Sequence, residues 1–388
     1  MSGEDRYIEL LWGPQHPSSG HMRFIVKMDG DVVSEFYPDP GYRHVGIEKI
    51  AETKTYIQII PLIERPAILD AANLNFVYVL ALEKLLDIEA PPRAQYLRTM
   101  MAEFNRIASH LYGIGIFGIM IGSSTEFMWA FGDREIIIEL MQMVGGARLT
   151  YSYMVPGGVR NDLPDGFKEK ALKGLKYIER RLEDHKRIFL ENAVTLSRLV
   201  GVGVIKKEEA IKLGIVGPNL RASGVRYDVR KAEPYGAYPE LDFEMAVREE
   251  GDCYARLMVR IDEIKTSIYL IRQILDKMPS GPILHERFMR YLAKWKAYME
   301  RMKKIKFPPI FVSLRPPKGD SFARVECGRG EATCYIVSDG STNPYRVRLV
   351  TPSFRNIIAF KYSMPGHRLA DIPSIYGSLD YFPPGADR

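Results

Sequence analysis

The clearest hydrophobic pattern in the chain runs from Glu64 to Leu86. Its apolar residues recur at helical spacing, at Leu74, Val77, Tyr78, Ala81, Leu82 and Leu85. This spacing predicts one buried helix, and Pro66 suits its start. Asp70 is the exception, because it places a carboxylate in an otherwise apolar first turn. We expect its side chain to be either a polar group of a cavity or a carboxylate stabilised by the helix dipole.

Further stretches in the middle of the chain carry the same helical period. They are 41–52, 93–120, 128–145, 165–191, 208–213, 253–278 and 284–304. Asp252 precedes one of them and is expected to cap it. The most apolar run, 107–122, is shorter than the ~20 residues needed to span a bilayer. We interpret it as part of a buried core helix and expect no direct membrane span.

Alternation of apolar and polar residues, which is typical of strands, is confined to the two ends of the chain. The predicted strands are 7–11, 22–28 and 31–37 around an Asp29-Gly30 turn, with a second hairpin over 324–350 around Asp339-Gly340. Prolines and glycines interrupt 366–388, which is expected to be mostly loop. The pattern predicts an α+β fold, in which a central bundle of long helices packs with small β elements from both ends.

Composition narrows the possible functions. A net charge of +6 over 388 residues, without a clustered basic stripe, argues against nucleic-acid binding. Three cysteines, Cys253, Cys327 and Cys334, do not form a C-x-x-C pair, which argues against a disulfide scaffold and favours a reducing compartment. We interpret Cys327 and Cys334 as strand residues that flank a turn at Gly328-Arg-Gly-Glu331. Met1 to Asp5 leads straight into a strand pattern, so no signal peptide is expected.

Several strings of residues carry a resemblance to a known family. They are G-P-Q-H-P at 13–17, G-Y-R-H-V-G-I-E-K at 41–49, A-L-E-K-L-L at 81–86 and R-G-E at 329–331. The chain resembles the large subunits of nickel–iron hydrogenases and the related quinone-site subunit of respiratory complex I. The resemblance implies one integrated domain: an N-terminal hairpin and cavity loop (1–40), a helical core (41–306), and a C-terminal hairpin with a cavity-lining tail (307–388).

The hydrogenase side of the resemblance implies a site without its metal. Thiolates select nickel and iron over hard metals, and hydrogenases supply four of them. Their positions here are Ala67, Asp70, Phe382 and Gly385. We therefore expect no bound metal and no hydrogenase activity. The resemblance implies that these residues still line the cavity, together with Asp380, which resembles the aspartate before the terminal cysteine pair.

The complex I side implies a quinone held by a loop histidine and a tyrosine. The tyrosine position is Ile68 here, and an aliphatic side chain cannot donate a hydrogen bond. His16 matches the loop histidine, and we expect it either to line the cavity or only to hydrogen-bond its own loop. His21 is a second candidate for the cavity, because Gly20-His21 reverses the family's order.

Two further carboxylates have counterparts in the family. Glu48 resembles a glutamate near a proton path, and the alternative is a salt bridge to Arg43 or Lys49. Asp133 resembles an acid that pairs with the loop histidine, and the alternative is helix capping. We expect His16, Glu48, Asp70 and Asp133 to be the residues closest to the chemistry.

A third branch of the family is consistent with the absence of both the four thiolate ligands and the quinone-binding tyrosine. Membrane-bound sulfane (polysulfide) reductases have a similar subunit without nickel–iron ligands, and they couple electrons from ferredoxin to ion pumping. This resemblance implies that the chain binds no cofactor and frames a cavity beside the [4Fe-4S] cluster of an iron–sulfur small subunit. It implies further hydrophilic subunits, membrane subunits of antiporter type, and a place at the cytoplasmic face of the membrane. Quinone reduction with electrons from NADH, ferredoxin or a deazaflavin, and a non-catalytic coupling scaffold, are the alternatives.

Overall fold

The computed structural model describes residues 7–15, 21–290 and 314–388. These residues form long helices and small antiparallel sheets, which confirms the mixed composition predicted from the pattern. The strands are β1 (Ile8–Trp12), β2 (Arg23–Asp29), β3 (Val32–Asp39), β4 (Met154–Val155), β5 (Gly158–Val159), β6 (Gly319–Cys327), β7 (Gly330–Ser338) and β8 (Arg346–Val350). The sheets are β1-β2-β3, β4-β5 and β6-β7-β8.

The helices account for about half of the described chain. They are α1 (Ile47–Ala51), α2 (Ile60–Ile63), α3 (Ala71–Leu86), α4 (Pro92–Met120), α5 (Ser124–Gly145), α6 (Phe167–His185), α7 (Ala193–Ser197), α8 (Lys207–Lys212), α9 (Pro218–Arg221), α10 (Val229–Ala232), α11 (Cys253–Lys277), α12 (Pro352–Asn356), α13 (Ala359–Ser363), α14 (Ile372–Leu379) and α15 (Pro383–Asp387). A π-helical turn, Lys186–Leu190, continues α6, and Ile68–Asp70, Tyr238–Glu240 and Leu369–Asp371 are 3₁₀ turns.

The helix α3 lies in the centre of the fold but begins later than predicted. It starts at Ala71, after the separate helix α2 and the 3₁₀ turn Ile68–Asp70. The backbone of Ala67 (φ −136°, ψ 80°) and of Asp70 (φ −116°, ψ 24°) lies outside the helical region, which separates these segments. All of α3 is buried except Leu80 and Lys84. It packs against α4 on one side and against β6 and β7 on another.

The long helices α4, α5 and α11 pack together, as the helical period predicts. Asp252 caps α11 by accepting a hydrogen bond from the amide of Ala255 at 2.8 Å, which confirms the predicted cap. No helix among the described residues is long and apolar enough to cross a bilayer. Of the helix predicted over 284–304, residues 291–304 lie outside the described ranges.

The two ends of the chain meet in one aromatic cluster. Phe24 and Phe36 of the first sheet contact Phe360 at ring distances of 5.5 and 6.2 Å, and Phe24 contacts Tyr376 at 5.6 Å. The prediction that 366–388 is mostly loop is wrong, because α14 and α15 occupy much of it. Prolines are tolerated in the first turn of a helix, and that is where Pro373 and Pro383 lie.

The C-terminal sheet contains both of the predicted turns. The Asp339-Gly340 turn connects β7 to β8, and a two-residue turn, Gly328-Arg329, connects β6 to β7. Cys327 and Cys334 are buried strand residues on either side of this second turn, as predicted. The second turn places Arg329 in the interior.

The hydrogen bond from the Ala255 amide to Asp252 is expected to stabilise the protein. We expect Asp252→Ala to lower the free energy of unfolding by about 1 kcal/mol, because the α11 amide loses its acceptor. Urea unfolding followed by circular dichroism measures the change. Asp276→Ala is the matched control, because that side chain is 72% exposed in the same helix. Equal effects of the two substitutions would contradict the capping role.

Candidate functional site

Arg329 lies at the centre of the candidate site, on the tight turn between β6 and β7. The turn packs closely on the loop before α9: a Cβ atom added at Gly217 would lie 2.3 Å from the Cα of Gly330. Gly217 has a φ of +72° and Gly330 one of +127°, and both values favour glycine. This glycine contact fixes the turn and therefore the direction in which Arg329 enters the core.

The guanidinium of Arg329 joins two buried carboxylates. Its Nη1 donates to Asp70 Oδ2 at 3.1 Å and to Ser109 Oγ at 2.7 Å, and its Nη2 donates to Asp380 Oδ1 at 2.8 Å. Burial lowers the pKa of Arg329, but Asp380 and Asp70 more than offset this and raise it above the ordinary value. Buried charges persist only when they are paired in this way.

Asp70 is therefore held by an ion pair and not by the helix dipole. It precedes α3, but its side chain does not cap the helix. Its Oδ1 accepts a hydrogen bond from the amide of Gly328 at 3.0 Å, so both carboxylate oxygens bind the β6–β7 turn. The sequence signalled a polar group in the apolar opening of this helix, and the structure gives it a partner 259 residues away.

Asp380 occupies the other side of Arg329 and lies against α4. A Cβ atom added at Gly113 would lie 2.9 Å from the carboxylate carbon of Asp380, so only glycine fits there. The second oxygen, Oδ2, lies 3.6 Å from Nε of Arg260 on α11. Burial lowers the pKa of Arg260 to about 10, and Asp380 opposes this effect.

A cavity of about 340 Å³ opens beside the Arg329–Asp380 pair. Three of the predicted residues line it: His21, Asp380 and Phe382. The other lining residues were not selected from the sequence, and they are Arg43, Tyr112, Gly113, Ile116, Met120, Arg329, Tyr376, Gly377, Tyr381, Pro383 and Pro384. Phe382 also faces the Arg329 guanidinium at 5.7 Å from its ring centre. The wall is thus mainly aromatic and aliphatic, with a few charged groups.

The four predicted thiolate positions do not all converge on this cavity. Phe382 lines it, and Asp70 touches it through Arg329. Ala67 and Ile68 do not line it, and Gly385 packs against Thr351 and Ser353 instead. The expectation that all these residues form the cavity wall is therefore wrong for Ala67, Ile68 and Gly385. His16 lies outside the described residues.

Glu48 binds residues near the C-terminus and does not line the cavity. Its carboxylate binds Arg346 at 3.2 Å and the amide of Leu349 at 3.0 Å, with Arg388 at 3.5 Å. The expected partners Arg43 and Lys49 are not used. Lys49 binds Glu52, and the amide of Arg43 binds Asp387. These contacts assign Glu48 a structural role in anchoring the end of the chain.

Asp133 belongs to a separate buried cluster between α5 and α6. It lies in the interior of α5, so the capping alternative is wrong. Its carboxylate accepts from His185 Nε2 at 2.8 Å and from Arg181 at 3.0 Å, while His185 Nδ1 lies 2.7 Å from Glu126. Burial lowers the pKa of His185, but the two carboxylates outweigh it and raise the pKa to about 9. His185 is therefore a cation at neutral pH.

Glu64 is a buried acid that the sequence did not single out. It is fully buried, and Oε1 accepts the amide of Ser152 at 2.8 Å, while Oε2 has no partner among the described residues. Burial raises its pKa to about 8. The only sequence signal was an acid between two apolar segments.

Metal-binding clusters are not a feature of the described residues. Within 7–15, 21–290 and 314–388, no three His, Cys, Asp or Glu side chains are grouped so that they could hold a metal ion. The three cysteines are buried and belong to three different elements.

Removing the Arg329 charge is expected to be costly. Arg329→Met would leave Asp70 and Asp380 buried without their partner, and breaking such a pair typically costs about 3–5 kcal/mol. Chemical denaturation measures the loss, and Arg348→Met on the exposed side of β8 is the control. We expect Asp70→Asn combined with Arg329→Met to recover part of the loss. Additive effects of the two changes would contradict the ion pair.

The His185 cluster predicts a pH dependence. The folded pKa of about 9 exceeds the unfolded value of 6.5, so the stabilisation is complete below pH 6.5 and is lost as the pH rises through 9. The difference corresponds to about 3 kcal/mol. We expect unfolding free energies of the native protein and of His185→Gln to converge between pH 6.5 and 9.5. Parallel pH profiles would contradict the assignment. Glu64 titrates in the same pH range in both proteins, so its contribution cancels in the difference between their unfolding free energies.

Comparison with known proteins agrees with this architecture. A family model described as "Respiratory-chain NADH dehydrogenase, 49 Kd subunit" matches residues 120–388. A subunit of the NADH-quinone oxidoreductase of Rhizobium etli is 42% identical over 379 residues, covering 97% of this chain and 94% of that protein. A subunit of the F(420)H(2) dehydrogenase of Methanosarcina mazei is 42% identical over 377 residues, covering 97% and 96%.

A solved structure matches over the whole length. A chain of the membrane-bound sulfane sulfur reductase, an archaeal respiratory membrane complex, superposes with a TM-score of 0.90 at 36% identity, covering 100% of both chains. The chain is thus an oxidoreductase subunit of a multi-subunit respiratory membrane complex. The match of sequence and of fold leaves one conclusion: this chain belongs to the family of the 49 Kd subunit of the respiratory-chain NADH dehydrogenase.

Proposed function

We propose that this chain forms the acceptor cavity of a respiratory complex that reduces sulfane sulfur. The observation that carries the proposal is the superposition on the sulfane sulfur reductase chain, with a TM-score of 0.90 over 100% of both chains. The cavity has room for a short polysulfide beside Arg329 and Asp380. Arg43 and His21 line the same cavity, and Arg43 is a cation that attracts an anionic acceptor.

The residues that are missing from the cavity support the same proposal. Ile68 is aliphatic, and it does not line the cavity, so it cannot supply the hydroxyl expected of a quinone site. A sulfur chain needs less directional hydrogen bonding than a pair of quinone carbonyls, because sulfur is a weak acceptor. A cavity wall with aromatic rings and Met120 suits a soft, polarisable acceptor of this kind.

The electrons must come from a partner in this proposal. The described residues lack a cysteine group that could hold a cluster, and soft thiolates are what a [4Fe-4S] centre requires. We propose that an iron–sulfur small subunit places its cluster beside the cavity. Ferredoxin would be the donor, and antiporter-type membrane subunits would use the released energy to pump ions. In this arrangement the chain lies at the cytoplasmic face of the membrane.

Quinone reduction is the second candidate. It is favoured by the 42% identity to a quinone oxidoreductase subunit over 97% of this chain. Tyr112 lines the cavity, and its hydroxyl is a hydrogen-bond donor of the kind that a quinone carbonyl accepts. The donor of electrons could then be NADH, ferredoxin or a deazaflavin. The two candidates differ in the acceptor and share the cavity.

The acceptor can be tested on the intact complex. We expect the purified complex with reduced ferredoxin to release sulfide from inorganic polysulfide and to leave a short-chain ubiquinone or menaquinone analogue unreduced. The Asp380→Asn complex serves as a control for the cavity, since the substitution removes the charge that Arg329 balances. Reduction of the quinone alone would replace the proposal by the second candidate. Failure with both acceptors, with the partner's cluster still reducible, would favour a coupling scaffold.

A further inference from the structure

The charged pair of the cavity, Arg329 and Asp380, is engaged within the chain. Arg329 makes four hydrogen bonds, to Asp70, Ser109 and two atoms of Asp380. Of the Asp380 carboxylate, Oδ1 is bound by Arg329 and Oδ2 faces Arg260 at 3.6 Å. The hydroxyl of Tyr381 is fully buried, which keeps it out of contact with the cavity space. Asp380 Oδ2 and the Tyr381 hydroxyl have no hydrogen-bond partner among the described residues, but both atoms are enclosed by protein and therefore closed to a ligand.

Tyr112 differs from them. It lines the cavity from α4 and is half-buried, and its hydroxyl has no hydrogen-bond partner among the described residues. Its ring packs against two side chains of α5: the ring centre of Phe131 lies at 5.3 Å and the guanidinium of Arg134 at 5.9 Å. Arg134 is itself fixed by a hydrogen bond to the carbonyl of Ala108. A rigid ring therefore presents an unused hydroxyl to the cavity.

The neighbouring glycine brings this hydroxyl close to the charged pair. Gly113 lets Asp380 lie against α4, which sets the Asp380–Arg329 pair directly beside the position of Tyr112. Both charged groups act on Tyr112 electrostatically, together with Arg134. All three side chains line the same cavity, so a ligand bound beside Arg329 and Asp380 would share that space with Tyr112.

We propose that Tyr112 is the hydrogen-bond donor to the acceptor molecule, at the atom on which negative charge develops during reduction. The proposal rests on the proposed function only in that this cavity binds the acceptor. It identifies the ligand chemistry as an electron acceptor with an exposed oxygen or sulfur atom. A donor aimed at developing charge accelerates a reaction because its contact strengthens as the charge grows.

The hydroxyl donates a hydrogen bond and keeps its proton. Burial raises the pKa of Tyr112 above the ordinary value of 10, so the phenol is neutral at physiological pH. A thiol has a pKa of about 8.5, which makes a phenol the weaker acid of the two. Proton transfer from Tyr112 to a thiolate product would therefore be unfavourable. The protons that the reduced acceptor takes up must come from water or from another group.

Tyr112→Phe in the intact complex tests the proposal. We expect kcat to fall by about 100- to 1,000-fold with the working acceptor, as for loss of a donor to developing charge, while KM changes by less than about twofold. The partner's cluster should keep its electron paramagnetic resonance spectrum. Tyr269→Phe, on an exposed part of α11, is the matched control and should leave kcat unchanged.

Each other outcome counts against Tyr112. An unchanged kcat, an effect confined to KM, or an equal loss in Tyr269→Phe would overturn the assignment. The acceptor assay on the unmodified complex decides the proposed function separately. If that complex reduces quinone and not polysulfide, the same substitution is measured with quinone, and the Tyr112 proposal stands or falls on its own result.

Discussion

The site depends on one buried guanidinium. Arg329 enters the core on a two-residue turn and holds Asp70 at the start of α3 and Asp380 at the end of α14. These three residues come from three separate parts of the chain, and their charges cannot be buried singly. Correct assembly of the helices with the C-terminal sheet is therefore a condition for a stable interior. The same condition defines the wall of the cavity.

The charges continue inward from this pair as a connected set. Arg260 lies between Asp380 and α9, where it binds Asn219. Beyond it Glu263 binds His110 at 2.9 Å and Arg221 at 2.6 Å, and a further group surrounds Glu103. Every member is buried, so the helices that carry these charges must pack in the one relative position that pairs them. Such networks favour one arrangement over others more than they add stability.

The cavity combines a rigid polar floor with an apolar wall. Its carboxylate and its buried guanidinium neutralise each other, which leaves Tyr112, His21 and Arg43 to meet a ligand. This arrangement suits an acceptor that is uncharged or anionic and that gains electrons from outside the chain. In the proposed function, the chain positions the acceptor and a partner supplies the electrons.

Local pattern was sufficient for the long helices, for the first hairpin and for the cap at Asp252, because helical period, turn residues and capping act over a few positions. The sequence also showed Asp70 as a carboxylate in an apolar segment, and the family resemblance selected Asp380 as a cavity residue. Arg329, Tyr112 and Glu64 were not identified from the sequence, and neither were the partners of Glu48 and Asp133 nor the distance of Ala67, Ile68 and Gly385 from the cavity lining. Their environments come from contacts between segments up to 346 residues apart, such as Gly41 with Asp387. Charge pairing and cavity shape depend on that packing, so they cannot be predicted from the short-range periodicity of the sequence.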